Sequence, residues 1–204
     1  MFKPNLVRSI VISTGLLILA GCAAPTRYID PAADDGAVAM GMDYRDFEKA
    51  ATEAVDGMLE SGAVTNPNGG RYIMVVSRIS NDTMQRIDTD QLTKKIRVAL
   101  LRSGKVVTTT AVGLNGAEDE MSMRARELRN SEEFDQSGVQ KKGTLQAPDL
   151  SLSGKILQRN LTVGKEQQVE YYIQLSLTDL ASGLAFWEGE TPIIKRGSNK
   201  SVSW

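Results

Sequence analysis

The chain of 204 residues contains no histidine and a single cysteine, Cys22. Without histidine, Ser-His-Asp and Cys-His catalysis are excluded, and so is every zinc site built on imidazole. With one cysteine, the chain can form neither an internal disulfide nor a thiolate cluster. Catalysis by paired carboxylates, as in glycosidases, and a Ser-Lys arrangement stay open. This inventory favours a non-enzymatic protein with no cofactor and no metal site.

The chain also has no excess of basic residues, because 24 Lys and Arg stand against 25 Asp and Glu. Removal of residues 1–21 would take away Lys3 and Arg8 and leave 22 basic against 25 acidic residues. A protein that binds nucleic acid needs cations to neutralise phosphates, so we expect no nucleic-acid partner.

The N-terminal segment has the order of a lipoprotein signal peptide. Two basic residues precede an apolar run at residues 10–19, and the small residues Ala20-Gly21 stand directly before Cys22. The apolar run is shorter than the ~20 residues of a membrane-spanning helix. We therefore expect cleavage before Cys22 and lipidation of its thiol and its new amino terminus, with fatty acids such as palmitate.

Residues after the lipidated cysteine bear on sorting and on reach. Ala23 stands where an aspartate would favour retention in the inner membrane. We therefore expect the outer membrane as the location, with Cys22 as a tether and not a catalyst.

Residues 22–42 are rich in Ala, Asp, Gly and Pro and are typical of a flexible tether. Its span is typically about 25 Å as a coil and at most ~70 Å fully extended. Residues 43–204 are expected to form one globular domain.

Hydrophobic periodicity in that domain predicts three helices and five strands. Asp43 is the expected N-cap of the first helix and Gly104 the expected end of the second; Met121, Ala125 and Leu128 should face inward from the third. The predicted elements are a helix from Asp43 to near Gly62, a strand at residues 71–79, a polar loop at 80–86, a helix at 88–103, a strand at 105–110, a helix at 114–129, a loop at 132–144, and strands at 150–161, 169–179 and 184–190. The order predicts an α/β (α+β) fold with a single mixed sheet of four or five strands and helices packed on it.

Two polar motifs could carry chemistry, but each has a simpler structural interpretation. Asn68-Gly69-Gly70 could cradle a phosphate, yet it lies between a helix and a strand, the reverse of the order that such loops need, so a turn is favoured. The carboxylates at 118–120 and at Glu132-Glu133 could bind calcium or act as acid and base. Neither cluster has EF-hand spacing, so a solvated helix start is favoured for the first.

Basic and aromatic residues could contact a partner. Lys94, Lys95, Arg97 and Arg102 form a basic stripe that could meet anionic lipid or glycan, although such a stripe is more often a solvated helix face. Lys141-Lys142 is equally unspecific. Tyr171, Tyr172 and Trp187 are the aromatic residues best suited to anchor a partner. Strand alternation places the two tyrosines on opposite faces, so one of them should point outward.

Several segments resemble the LpoB-type activator lipoproteins of penicillin-binding proteins. The resemblance covers the lipidation motif and nearly all of residues 43–194. It rests on residues 76–83 (VSRISNDT), on residues 88–106, and on residues 178–183 (TDLASG) leading into Phe186-Trp187-Glu188-Gly189. These are turns and strands of a scaffold and carry no catalytic signature.

The resemblance implies an outer-membrane lipoprotein with a domain similar to the N-terminal domain of TolB. It further implies that the protein is not an enzyme, and that it binds and activates a bifunctional penicillin-binding protein, a peptidoglycan synthase. The best-known members carry a long Pro-rich tether, whereas this chain has the short segment 23–42. Either the partner projects further from the inner membrane, or this member serves a partner nearer the outer membrane.

Two other functions remain open from the sequence. One is a structural or assembly lipoprotein of a secretion or surface-organelle complex that uses the same TolB-like domain. The other is a carboxylate-dependent glycan hydrolase. The residues that contact a partner are not fixed by any of the motifs.

Overall fold

The computed structural model describes Thr26, residues 28–30 and residues 38–198. The predicted signal peptide, Cys22, most of the predicted tether and the last six residues lie outside the described residues. The chain divides into two compact units, residues 1–36 and residues 37–204, and all the elements below belong to the second. Within the described ranges, no helix combines the length and apolarity that a bilayer span requires.

The described part of the chain folds into a five-stranded mixed sheet with three α-helices, as the sequence predicts. The elements are α1 (Tyr44–Glu60), β1 (Tyr72–Asp82), α2 (Thr89–Ser103), β2 (Val106–Thr108), α3 (Met121–Glu127), a 3-10 turn (Leu128–Asn130), β3 (Leu150–Val163), β4 (Glu166–Asp179) and β5 (Ala185–Ser198). The strand order is β2-β1-β3-β4-β5. β1 runs parallel to β2 and β3, while β3, β4 and β5 form an antiparallel meander.

Helices α1 and α2 pack against each other and cover one face of the sheet, α1 over β5 and α2 over β1 and β2. Their buried side chains recur every three or four residues, which gives each helix one apolar face. The buried apolar residues are Phe47, Ala50, Ala51, Ala54, Val55 and Met58 in α1, and Leu92, Ile96 and Leu100 in α2. The caps agree with the sequence: Asp43 accepts hydrogen bonds from the first turn of α1, and Gly104, with φ of 69°, ends α2 in a left-handed conformation.

The meander alternates between the covered face and the other face. Tyr171, Ile173, Leu175 and Leu177 of β4 are buried under the helices, as predicted, and the residues between them are half-exposed. On β5 the indole of Trp187 packs against the core, where Gly57 of α1 and Gly189 leave room for it. A Cβ at Gly189 would lie 2.3 Å from the Trp187 ring.

Four strands extend beyond their predicted bounds, β3 and β4 by two or three residues and β1 and β5 with larger consequences, whereas β2 is shorter than predicted. β1 continues to Asp82, so residues 80–82 are strand and not loop, and β5 continues to Ser198 instead of ending at Glu190. Pro192 hides the second half of β5 in the sequence, because proline interrupts a strand signal. It is tolerated because β5 is the edge strand of the sheet and pairs only with β4 among the described elements.

The predicted third helix is wrong in extent and in packing. α3 begins at Met121 rather than Leu114, because residues 113–116 form a turn in which Gly116 has φ of 109°. The helix has no buried residue, and Met121 is 62% exposed. Met121 therefore does not face inward, and Ala125 and Leu128 are only half-buried.

The segment before α1 packs against the domain, although the sequence assigns it to the tether. Met40 is buried in the hydrophobic core, so packed structure begins three residues before Asp43. The ammonium of Lys195 on β5 is buried there: Nζ donates to the carbonyl oxygen of Gly41 at 2.8 Å and to the carboxylate of Asp46. The Gln85 side-chain oxygen accepts from the backbone N–H of residue 42 at 3.3 Å. We call residues 40–42 the strap.

The charged groups next to the strap are paired with one another. Asp43 and Asp46 form a reciprocal capping box at the start of α1, and the Lys195 ammonium lies 3.6 Å from Asp43 Oδ2. Burial alone would raise the pKa of Asp43, but the hydrogen bond from Arg45 and the charge of Lys195 outweigh it and lower the pKa. The stabilisation that Asp43 contributes is thus present above the pKa of the unfolded state and is lost as the pH falls through the lowered value.

A substitution at Gly154 of β3 tests how tightly the meander packs on the face covered by the helices. A Cβ at this position would lie 2.2 Å from the Gln174 carbonyl oxygen and 2.6 Å from the Leu175 side chain. We expect Gly154→Ala to lower the free energy of unfolding by about 2–3 kcal/mol, because neither β4 nor the core can move away cheaply. Urea denaturation measures it. Gly138→Ala is the control, since its Cβ would meet nothing closer than 3.9 Å; equal costs for the two variants would contradict this packing.

Candidate interaction surfaces

Two of the four residues of the basic stripe on α2 form ion pairs within the fold. Lys95 pairs with Glu48 of α1, and its Nζ lies 3.6 Å from the centroid of the Tyr44 ring. The hydrogen bond from Lys95 holds the pKa of Glu48 below its usual range. Arg97 pairs with Glu118 and donates to the carbonyl oxygen of residue 109 at 3.3 Å. Lys95 and Arg97 therefore join α2 to α1 and to the loop after β2, while Lys94 and Arg102 are exposed on the surface of the helix.

The acidic residues at 118–120 are likewise structural. Glu118 is the partner of Arg97, Asp119 Oδ1 accepts from Met121 N at 3.1 Å, and Glu120 pairs with Arg124 one turn further along α3. Glu132 and Glu133 are exposed in the loop that follows the 3-10 turn. Across the described residues, no group of three or more His, Cys, Asp or Glu side chains is arranged to hold a metal ion.

The Asn68-Gly69-Gly70 segment is the turn between α1 and β1. Gly69 N donates to the Asn66 carbonyl oxygen at 3.1 Å, and both glycines have positive φ, 81° and 76°. Left-handed backbone of this kind favours glycine, which accounts for the pair without a ligand.

The aromatic residues divide as the alternation predicts. Tyr171 is fully buried, and its hydroxyl donates to Gln85 Oε1 at 2.9 Å. Burial and the charge of Asp46 raise the pKa of Tyr171 to about 12. Tyr172 lies on the opposite face, and its hydroxyl donates to Glu170 Oε2 at 2.7 Å. Trp187 is half-buried under α1, so Tyr172 is the one of the three that lies on the face away from the helices.

The face of β3–β5 that bears Tyr172 carries a second set of side chains that the sequence does not single out. We call it the outer sheet face. Its central row crosses the three strands at Leu157, Tyr172 and Pro192. Each further row is given in the order β3, β4, β5. On one side of the central row lies the row of Lys155, Gln174 and Glu190. On the other side lie the row of Arg159, Glu170 and Ile194 and then the row of Leu161, Gln168 and Arg196. Ile194 is 56% exposed.

A hydrogen-bonded chain fixes the polar side chains of this face. Arg196 donates to Gln168 Oε1, Gln168 donates to Glu170 at 2.7 Å, and Tyr172 donates to the other oxygen of Glu170. The hydrogen bonds from Tyr172 and Gln168 lower the pKa of Glu170. Glu170 therefore stays a carboxylate at neutral pH, and it orients the tyrosine ring.

Charged side chains of opposite sign on β5 lie on the two sides of the central row of the outer sheet face. Glu188 and Glu190 accept hydrogen bonds from Ser176 and Gln174, and Arg196 is held by Gln168. Among the ion pairs of the described residues, none involves Glu188, Glu190 or Arg196. The sequence misses this surface because it depends on the register of β5 beyond Glu190.

Two adjacent isoleucines of β5 test which face is covered. Ile193 is 5% exposed on the core side and Ile194 is 56% exposed on the outer sheet face. We expect Ile193→Asp to lower the free energy of unfolding by at least about 3 kcal/mol, because it buries a carboxylate and empties core volume. Ile194→Asp should cost less than about 1 kcal/mol. Chemical denaturation of both variants decides the point, and similar losses would show that the outer sheet face is covered.

Comparison with known proteins gives a family for this chain. The family model described as "Peptidoglycan-synthase activator LpoB" matches residues 46–193. No curated protein sequence matches significantly. Among solved structures, the LpoB C-terminal domain from Salmonella enterica is 18% identical with a TM-score of 0.42, and the match covers 72% of this chain and 98% of that one.

Two further structures are similar at lower identity. The LpoB C-terminal domain from Escherichia coli is 15% identical, with a TM-score of 0.41 and coverage of 72% of this chain and 98% of that one. Lipoprotein GNA1162 from Neisseria meningitidis is 13% identical, with a TM-score of 0.37 and coverage of 63% and 87%. The family match takes in both packed helices and most of the sheet, and this chain therefore belongs to the LpoB family of peptidoglycan-synthase activators.

Proposed function

We propose that this protein is an outer-membrane lipoprotein, anchored through Cys22, that binds a bifunctional penicillin-binding protein and stimulates its glycan polymerisation and peptide cross-linking. The family match over residues 46–193 is the observation that carries this proposal. The family is one of activators rather than enzymes, in keeping with a sequence that has no histidine and one cysteine.

An activator of this kind acts by binding the active conformation of the synthase more tightly than the resting one. The population then shifts toward the active form, and the shift is bounded by the ratio of the two affinities. A tenfold ratio corresponds to about 1.4 kcal/mol of differential binding, which a few well-packed side chains can supply.

The outer sheet face is the surface that we assign to this contact. Tyrosine and arginine are among the residue types most enriched at the energetic centres of protein interfaces, and Tyr172, Arg159 and Arg196 share this face with the exposed Ile194. The chain of hydrogen bonds through Gln168 and Glu170 holds Tyr172 and Arg196 in place before any partner arrives. Such preorganisation lowers the conformational entropy that binding costs.

Stimulation of a purified synthase tests the activator function and its surface together. Full-length lipoprotein in detergent should raise the rate of glycan polymerisation by a bifunctional penicillin-binding protein from the same envelope. Ile194→Asp should raise the half-maximal concentration at least about tenfold, a loss of about 1.4 kcal/mol, since it replaces the exposed apolar side chain of this face with a charge. Leu101→Asp is the matched control, because Leu101 is 47% exposed on α2 and lies away from the outer sheet face.

The outcomes separate the function from the surface. No change in synthase rate and no penicillin-binding protein captured from solubilised envelope would contradict the activator function. Stimulation that Leu101→Asp abolishes and Ile194→Asp leaves intact would move the contact to the helical side. Recovery of a ring-like assembly with an export or appendage complex would support the assembly lipoprotein instead.

The anchor is tested separately at Cys22. Cys22→Ser removes the thiol that carries the lipid, so we expect the protein to disappear from the outer-membrane fraction and to lose incorporation of labelled palmitate. Ala24→Ser is the control for a hydroxyl at this segment. Cys22→Ser protein that still fractionates with the outer membrane would overturn the lipid anchor.

A further inference from the structure

The strap, residues 40–42, is held to the domain by the side chains of Met40 and Met42, which pack against the core, and by two polar contacts. Met40 inserts into the core, the Gly41 carbonyl oxygen accepts from Lys195 Nζ at 2.8 Å, and Met42 N donates to Gln85 Oε1 at 3.3 Å. The two polar contacts use side chains of β5 and of the loop before α2. The strap belongs to no strand ladder and to no helix.

Each polar partner of the strap has a second partner inside the domain. Lys195 keeps its ion pair with Asp46, and Gln85 Oε1 keeps the hydroxyl of Tyr171 at 2.9 Å. α1 keeps its reciprocal cap between Asp43 and Asp46. When the strap leaves, Lys195 and Gln85 therefore each keep a hydrogen-bond partner. Such a separation usually costs free energy because it leaves a buried polar group unpaired, and here that cost is avoided.

We propose that the strap is a releasable latch that sets the length of the tether. With the latch closed, the free tether ends at Met40, beside the start of α1. With the latch open, residues 40–42 join the tether and add about 10 Å to its fully extended length, at roughly 3.3–3.6 Å per residue. Under a pull on the N-terminal segment the strap leaves first, while the sheet and both packed helices stay folded.

The role of the latch in setting the tether length rests on the proposed function, since a longer reach matters only for a domain that is anchored and must meet a partner. With the strap closed the tether comprises residues 22–39, which is 18 residues, and opening the strap adds three. The latch itself is a property of the domain alone and is measured without lipid or synthase. Its failure and the failure of the proposed function are therefore distinguishable.

Cysteine labelling measures the latch in the unlipidated chain that begins at Ala23. That chain contains no cysteine, because Cys22 is the only one in the sequence, and every buried apolar residue of the described part lies between Met40 and Ile193. The labelling rate of Met40→Cys measures how often the strap opens. Val38→Cys gives the labelling rate of an exposed site, and Ile156→Cys, at a fully buried position on β3, gives the rate for the core.

Gly41→Val is the change that opens the latch. A Cβ at Gly41 would lie 2.7 Å from Gln85 Nε2 and 3.2 Å from Gln85 Oε1, the end of the side chain that holds the strap through Met42 N. Gln85 and the strap therefore cannot keep their present contact, while the Lys195–Asp46 pair stays intact. Gly138→Val is the matched control, because its Cβ would meet nothing closer than 3.9 Å.

The thiol introduced by Met40→Cys should react with a maleimide at least about tenfold more slowly than the thiol introduced by Val38→Cys. Adding Gly41→Val should bring the rate at position 40 to within about threefold of the rate at position 38 and leave position 156 protected. Adding Gly138→Val should change neither rate.

Two results would overturn the latch. One is unchanged protection of the thiol at position 40 when Gly41→Val is present. The other is equal acceleration at positions 40 and 156, since the strap would then be part of the cooperative core.

Discussion

Coverage of the sheet on one face only is the constraint from which the rest of the structure follows. α1 and α2 lie over the same face, so every strand of the meander must send alternate side chains toward them. Gly154, Gly57 and Gly189 are the points at which this face has no room for a side chain. The outer sheet face is the counterpart: a surface of three long strands that neither of these helices covers.

The parts of the fold that are visible in the sequence are those whose local pattern and tertiary role agree. α1 and α2 combine a helical apolar period with a cap at the expected residue, and β4 alternates along its buried half. α3 shows the reverse case. Its apolar residues recur at helical spacing, but the helix lies at the surface and buries none of them, so periodicity alone predicts a packing that does not exist.

The candidate surface could be predicted only in part, for a physical reason. That Tyr171 and Tyr172 face opposite ways follows from the geometry of any strand. That Arg159, Tyr172 and Ile194 lie near one another requires the register of three strands, and Pro192 conceals the last of them. Lys195 is a similar case: a buried lysine is recognisable only once Asp46 and the carbonyl of the strap are seen to surround it.

Pro192 has a further consequence for the behaviour of the molecule in a crowded environment. β5 forms the border of the sheet among the described strands, and an unpaired border is a template on which another chain can add a strand. Proline offers no N–H to such a chain, so the row of donors along this border is interrupted at Pro192. The same residue that obscures the strand in the sequence thus makes this border a poor template for the addition of another strand.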